Sequence, residues 1–392
     1  MKPTSDTLAS LHESDLRRLL AELGHGALAY RFRVAPNPTV GAAVLSDGVE
    51  IGRGFHTTWG GPHAEVHALE AAAASGVPPE RWDTMVITLE PCSSQGKTGA
   101  CTRRLLDVGI RRVIVGALDP DPRHEGRGLN QLEAAGVEVV HLRGASPLGR
   151  FAPHFYRWTL PDRQRRGRPW LIAKWAQTRT GQLQAPESHG RWISSPPSLA
   201  EVHRLRASCD AVITGIGTVL RDDPRLSVRG EAARGLARDE GPQRVIVDSD
   251  LRTPLEARIF AATPEGEAAG EVVIVCRGGA HPRSHRALKE NGVRVEVVGL
   301  DDKGRVNVRE MLNRMWNAGM RRVLLEAGTT LATSFLEHDL VDQLLVYTGA
   351  VNGGEGEPLS EWLRPDRLRL PAHRESGDDA VLEAFLGGDF PR

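Results

Sequence analysis

Three separated residues, His63, Cys92 and Cys101, with Glu65 beside the first, constrain this chain more than any other feature. They stand in His63-Ala64-Glu65, in Pro91-Cys92, and alone at Cys101. One imidazole and two thiolates give a tetrahedral zinc ion three protein ligands and leave its fourth position to water. A water held this way ionises near neutral pH and becomes a nucleophile. Glu65 is spaced to take a proton from it and pass the proton on without binding the metal. The fold must therefore return three distant stretches of chain to one point.

The pattern around these residues is suited to that task. In the first 145 residues, apolar runs at 40–45, 85–89, 113–117 and 137–142 read as strands. Between them, 64–74, 101–108 and 129–135 read as helices, and Asp47-Gly48 reads as a hairpin turn. Alternating strands and helices imply a layered α/β sheet. If 64–74 and 101–108 are helices, His63, Glu65 and Cys101 lie at helix starts, where the positive end of the dipole favours thiolates. Residues 146–168 read as a linker rich in Pro, Arg and aromatics. A second alternating series follows, with strands at 170–175, 211–214, 244–247, 272–276, 293–298, 323–325 and 344–347, and helices at 196–207 and 307–318. Segments 230–241 and 263–270 read as exposed loops. The expected domains are 1–145, a linker at 146–168, and 169–392.

Composition excludes several classes. The chain has 392 residues, with 50 Lys+Arg balanced by 50 Asp+Glu, so there is no basic field to draw a nucleic-acid backbone. The run Arg163-Gln164-Arg165-Arg166-Gly167-Arg168 reads as a solvated linker. No apolar run is long enough to span a bilayer, and no signal-peptide core is seen at the N-terminus. Four cysteines make no disulfide framework. Cys209 and Cys276 read as reduced core thiols, and the expected setting is cytoplasmic.

H-x-E followed by P-C is the signature of zinc deaminases, in which two residues usually separate the first cysteine from the second. Here eight residues lie between them, so the match is to a variant. Two other readings use the same residues. His63 and His67, one helical turn apart, form a rival metal pair, with His67 otherwise packing below the site. A closed structural zinc site would need a fourth protein ligand, His67 or His56.

The segments 35–41 (Ala-Pro-Asn-Pro-Thr-Val-Gly), Gly54-Phe55-His56, 63–69 (His-Ala-Glu-Val-His-Ala-Leu), Leu89-Glu90-Pro91-Cys92-Ser93, Gly96-Lys97-Thr98, Asp119-Pro120 and 126–129 (Gly-Arg-Gly-Leu) resemble the bifunctional riboflavin-biosynthesis deaminase/reductase family. The resemblance implies an α/β chain with a cytidine-deaminase-like three-layer N-terminal domain and a dihydrofolate-reductase-like C-terminal domain. It implies zinc on His63, Cys92 and Cys101, with Glu65 shuttling protons, and Asn37, His56, Lys97 and Asp119 binding a small phosphorylated pyrimidine. The chain departs from the family's His at Ser94 and from its Pro-Pro at Gly99-Ala100.

In the second half the same resemblance rests on Lys174-Trp175-Ala176, Trp192-Ile193-Ser194, 210–215 (Asp-Ala-Val-Ile-Thr-Gly) and 222–226 (Asp-Asp-Pro-Arg-Leu). It implies NADPH bound by Trp192, Thr218, Asp222, Ser249, Gly328 and Thr329. Substrate would meet Lys174, Arg206, Leu226, Arg229 and Glu326, with Arg206 and Arg229 clamping a phosphate. Read from the residues alone, Gly328-Thr329-Thr330 is a helix start that suits a cofactor phosphate, or an ordinary helix cap. Thr180 stands where the family has Asp, and Gly190 where it has a hydroxyl residue. These departures leave open a deaminase whose second half is a scaffold, or a paralogue in a related secondary pathway. A homodimer or tetramer is expected.

Overall fold

The computed structural model describes residues 12–34, 37–94, 99–145, 152, 155, 167–190, 192–234, 236 and 241–387. The chain divides into two compact units, and the second spans Gly167–Gly388.

The first unit is built on a five-stranded sheet of order β2-β1-β3-β4-β5. Its strands are β1 (Gly41–Ser46), β2 (Val49–Phe55), β3 (Thr84–Ile87), β4 (Arg112–Val115) and β5 (Glu138–His141). β1 pairs antiparallel with β2 and β3, while β3–β4 and β4–β5 are parallel. Alternate residues of the central strands enter different cores. Ala42, Val44, Met85, Ile87, Val113 and Val115 face one side; Ala43, Leu45, Val86 and Ile114 face the other. Burial on both faces turns these strands into continuous apolar runs.

Helix α1 (Glu13–Ala27) covers the second face with Leu16, Leu20 and Leu23. Helices α2 (Ala64–Ala74), α3 (Cys101–Asp107) and α4 (Arg127–Ala134) cover the first face through Ala64, Ala68, Ala72, Leu105, Leu129 and Leu132. The unit is thus a three-layer α/β/α sandwich. α1 was not foreseen, although Leu16, Leu20, Leu23 and Ala27 stand at helical spacing, which is a readable signal.

The close seat of α2 on β2 depends on glycine. A Cβ on Gly54 would lie 2.2 Å from the Ala68 backbone nitrogen, and one on Gly52 would lie 2.3 Å from that of Ala72. Two glycines facing three alanines bring the helix backbone down onto the strand. That fixes where the N-terminus of α2 points.

The second unit holds a nine-stranded sheet of order β10-β9-β8-β7-β11-β6-β12-β14-β13. Its strands are β6 (Trp170–Gln177), β7 (Ala211–Gly215), β8 (Gln243–Val247), β9 (Val272–Arg277), β10 (Arg294–Val298), β11 (Arg322–Leu325), β12 (Gln343–Thr348), β13 (Leu368–Ser376) and β14 (Asp379–Leu386). All pairs are parallel except β12–β14 and β13–β14. The helices are α5 (Pro196–Ala207), α6 (Ile216–Asp222), α7 (Glu231–Arg234), α8 (Pro282–Glu290), α9 (Val308–Asn317) and α10 (Thr329–Glu337). Valines and leucines of the parallel strands pack on Met311, Leu312, Met315, Phe335 and Leu336 of α9 and α10. Cys209 and Cys276 are buried and unbridged.

Two expectations need correction. Residues 230–241 were read as loop, but the short helix Glu231–Arg234 lies within them. Arg168 is not solvated. It is 6% exposed, and its Nη1 and Nη2 donate to Asp342 at 2.5 and 2.8 Å. The planar guanidinium fork matches a carboxylate in two-pronged geometry, so a residue read as linker instead anchors the first strand of the second unit. Arg163, Arg165 and Arg166 lie outside the described residues.

Candidate active sites

Each element of the first unit delivers one part of the metal cluster. His63 is the extended residue before α2, Cys92 follows the chain out of β3, and Cys101 opens α3. The His63 Nδ1 atom lies 3.6 Å from Cys92 Sγ and 3.4 Å from Cys101 Sγ. All three ligand atoms fall within 4.8 Å of one another. Zinc–nitrogen and zinc–sulfur bonds of about 2.0 and 2.3 Å set at a tetrahedral angle place nitrogen and sulfur roughly 3.5 Å apart. The donor set therefore fits zinc in type and in size.

The charges agree with a cation at this point. A hydrogen bond from Cys101, and then His63, hold Cys92 far below the ordinary thiol range. Cys101 is pushed up by its hydrogen bond with Cys92, by burial and by Glu65. A positive ion at this point would let both sulfurs ionise together beside the carboxylate. The backbone N–H of Cys101 also donates to Cys92 Sγ at 3.3 Å, tying the two sulfur-bearing turns together.

Glu65 is 3% exposed in the first turn of α2. Burial raises its carboxyl above the usual range. His67 does not join the cluster; its Nδ1 lies 3.2 Å from Glu70 on its own helix. His56, 2% exposed, stacks edge-on against His63 with ring centroids 5.5 Å apart. His56 Nδ1 lies 2.9 Å from the Pro62 carbonyl, and its Nε2 lies 3.3 Å from Asn37 Nδ2. Burial lowers its pKa, so the ring is neutral, with Nδ1–H donating and Nε2 accepting. Asn37 and His56 thus stand together beside the metal cluster.

Asp119 is half-buried, and its carboxyl is raised by that burial. Lys97 lies outside the described residues. Ser94 is exposed, and Gly99 takes φ +75°, which proline cannot adopt. The Gly99-Ala100 departure is therefore matched by a backbone that needs glycine.

In the second unit, Arg206 from α5 and Glu326 after β11 form a largely enclosed two-pronged pair, each side chain 13% exposed, at 2.6 and 2.9 Å. Burial alone would raise Glu326, but Arg206, and then Lys174, bring it down to about 2. Burial lowers the neighbouring Lys174. Arg206 also donates to the Ser227 carbonyl at 3.0 Å, next to Leu226, which holds φ +54°. Arg229 lies 3.5 Å from Glu267. Each of the two arginines expected to clamp a phosphate thus has an acidic partner of its own.

A cavity of about 620 Å³ is lined by Thr218, Ser249, Gly328 and Thr329. Trp192 and Asp222 are not part of that lining; Trp192 is 56% exposed, and Asp222 pairs with Arg221 at 3.0 Å. Sequence reasoning missed four arginines of the wall, Arg221, Arg252, Arg277 and Arg305, which are scattered and carry no motif. The N-terminus of α10 enters the same cavity at Gly328, with no side chain capping it. Guanidinium groups and bare helix N–H groups suit the phosphates of a dinucleotide such as NADPH.

The two departures in this half have local explanations. Thr180 Oγ1 accepts the Gly353 N–H at 2.8 Å, a bond a carboxylate oxygen would also make. Gly190 sits at φ 84°, ψ −168°, a conformation open essentially to glycine.

Comparison with known proteins follows the same division. Residues 23–117 match the cytidine and deoxycytidylate deaminase zinc-binding region, and residues 169–382 match the RibD C-terminal domain. The riboflavin biosynthesis protein RibD of Aquifex aeolicus is 34% identical over 83% of this chain and 84% of its own length. The chain belongs to the RibD family. RibD of Escherichia coli is 32% identical over 81% of this chain and 83% of its own. Among solved structures, the diaminohydroxyphosphoribosylaminopyrimidine deaminase/5-amino-6-(5-phosphoribosylamino)uracil reductase of Thermotoga maritima aligns with a TM-score of 0.66 at 27% identity, covering 95% of this chain and 99% of that one. Acinetobacter baumannii RibD aligns equally well, over 95% and 98%.

Proposed function

We infer that this RibD-family chain carries out two steps of riboflavin biosynthesis. The first unit hydrolyses the amine from 2,5-diamino-6-ribosylamino-4(3H)-pyrimidinone 5′-phosphate. The second reduces the ribosyl group to ribityl with NADPH. The observation that carries this reading is the convergence of His63, Cys92 and Cys101 beside a buried Glu65 in a chain whose other half matches the RibD reductase domain.

Bound by His63, Cys92 and Cys101, zinc supplies a Lewis acid that brings a water's pKa toward neutrality. The chain's own residues do the rest. Glu65 holds the proton in transit, and its raised pKa suits a group that must both accept and return one. Neutral His56, held by the Pro62 carbonyl, orients the Asn37 amide, and the remaining N–H and carbonyl oxygen of that amide are assigned to the pyrimidine edge. Asp119 and Lys97 are assigned to the remainder of the substrate.

In the second unit, NADPH supplies hydride. Thr218, Ser249, Gly328 and Thr329, with Trp192 and Asp222, are assigned to hold it. Lys174, Arg206, Leu226, Arg229 and Glu326 are assigned to the ribosyl phosphate, with ionised Glu326 accepting hydrogen bonds from sugar hydroxyls. The open cavity lined by Thr218, Ser249, Gly328 and Thr329 supports a working reductase over a scaffold, because a scaffold has no use for a nucleotide-sized pocket.

A cytoplasmic setting and a homo-oligomer complete the proposal. Balanced charge and four unbridged cysteines support the first. Among the described residues no helix is long and apolar enough to cross a membrane. The test is to supply the diamino substrate with NADPH and follow both ammonia release and NADPH loss. Both should occur. Ammonia release without NADPH oxidation leaves only the deaminase.

A further inference from the structure

Glu90 precedes the Pro91-Cys92 ligand turn, and nothing in the chemistry above uses it. It is 7% exposed. Its backbone N–H donates to the Ala117 carbonyl at 2.9 Å, extending the β3–β4 pairing past the strand ends. Its carboxylate accepts three further hydrogen bonds, all from backbone N–H groups. Oε2 takes Asp119 at 3.1 Å and Gly126 at 2.9 Å, and Oε1 takes Gly128 at 2.8 Å.

Those donors define a loop and the start of a helix. Gly126 is the residue before α4, sits at φ 72°, and has no side chain with which to cap the helix. Glu90 caps it from another element, with its negative charge against the positive end of the helix dipole. Gly128 makes the approach possible, because a Cβ there would lie 2.2 Å from the Pro91 carbonyl oxygen. One carboxylate therefore fastens both ends of the loop 119–126 to the residue two positions before a metal ligand.

We propose that Glu90 is a positioning residue of the deaminase: it sets the height of Asp119 against the zinc ligands through the backbone of the loop that carries it. The inference rests on the assignment of Asp119 to substrate made above. Glutamine is the sharpest probe. It keeps shape and one acceptor oxygen, but turns an N–H₂ toward backbone donors.

The experiment uses the full chain, with the diamino substrate and, separately, its deaminated product. Glu90→Gln should retain zinc and NADPH oxidation of the deaminated product. The deaminase KM should rise about 10- to 100-fold, the equivalent of losing one hydrogen bond to a charged group, with a smaller fall in kcat. In an Asp119→Ala background the same change should add less than about threefold, since neighbours acting as one unit are not additive. A wild-type KM, zinc loss as the only effect, or a full additive effect without Asp119 overturns the proposal. Hydrogen exchange on the unmodified protein tests it even where the variant fails to fold. The Asp119, Gly126 and Gly128 amides should be slow, and exchange at the rate of exposed amides refutes the clamp. An Asp119→Ala enzyme with unchanged KM overturns the assignment of Asp119 to substrate and, with it, the role of Glu90 in binding.

Discussion

Gly54→Ala asks whether the deaminase depends on the close seat of α2. The added Cβ would stand 2.2 Å from Ala68 N and 2.5 Å from Ala64 O. Both are backbone atoms of a helix, so no side chain can rotate away. Ordinary contact begins more than about 1 Å further out, and the helix must move by that much. Forcing extra volume into a packed site costs roughly 1–3 kcal/mol, or about 2–10 °C in the melting of a unit of this size. The larger effect is chemical. His63 and Glu65 ride on the first turn of the displaced helix, and a misplacement of about 1 Å costs on the order of 100-fold in rate. Thermal melts, zinc content, ammonia release and NADPH oxidation of the deaminated product are the assays. Deamination should collapse while reduction persists. A Gly54→Ala enzyme with wild-type melting and wild-type deamination refutes the argument that this glycine sets the site.

Arg168→Ala strands Asp342 without its guanidinium partner in a buried position. It should destabilise the second unit by about 3–5 kcal/mol, read by denaturant unfolding; a loss below about 1 kcal/mol would place the pair effectively in solvent. The Arg206–Glu326 pair gives a pH signature. Glu326 titrates at about 2 in the folded protein against an ordinary 4.5, so its contribution is complete above pH 4.5 and disappears as pH falls toward 2. That loss is on the order of 3 kcal/mol. Glu326→Gln should flatten the stability profile in that window, and an unchanged slope would contradict the pairing.

Much of the architecture was legible because burial acts directly on composition. Residues 40–45, 85–89 and 113–117 read as strands because β1, β3 and β4 are covered on both faces and carry almost no polar residue. The convergence of His63, Cys92 and Cys101 was legible because zinc chemistry permits few residue types. The antiparallel pair β13–β14 was not. β13 lies at the sheet edge, exposes most of its residues, and carries Pro371 at a register shift, so it lacks the apolar signal of an inner strand. Arg168 was misread because a buried arginine and a solvated one look alike in sequence; only Asp342, far along the chain, distinguishes them. Glu90 passed as part of a motif because its partners are backbone N–H groups, which have no sequence identity. The cavity arginines were invisible for a related reason, since they come together from several separate loops and elements.

In the proposed deaminase, His63, Cys92 and Cys101 hold the metal while Glu65 moves the proton. The most direct measurement is zinc content together with ammonia release in Glu65→Gln. The expected result is full zinc occupancy, lost ammonia release, and unimpaired oxidation of NADPH by the deaminated product. Persistent ammonia release, or loss of zinc with the carboxylate, would contradict it.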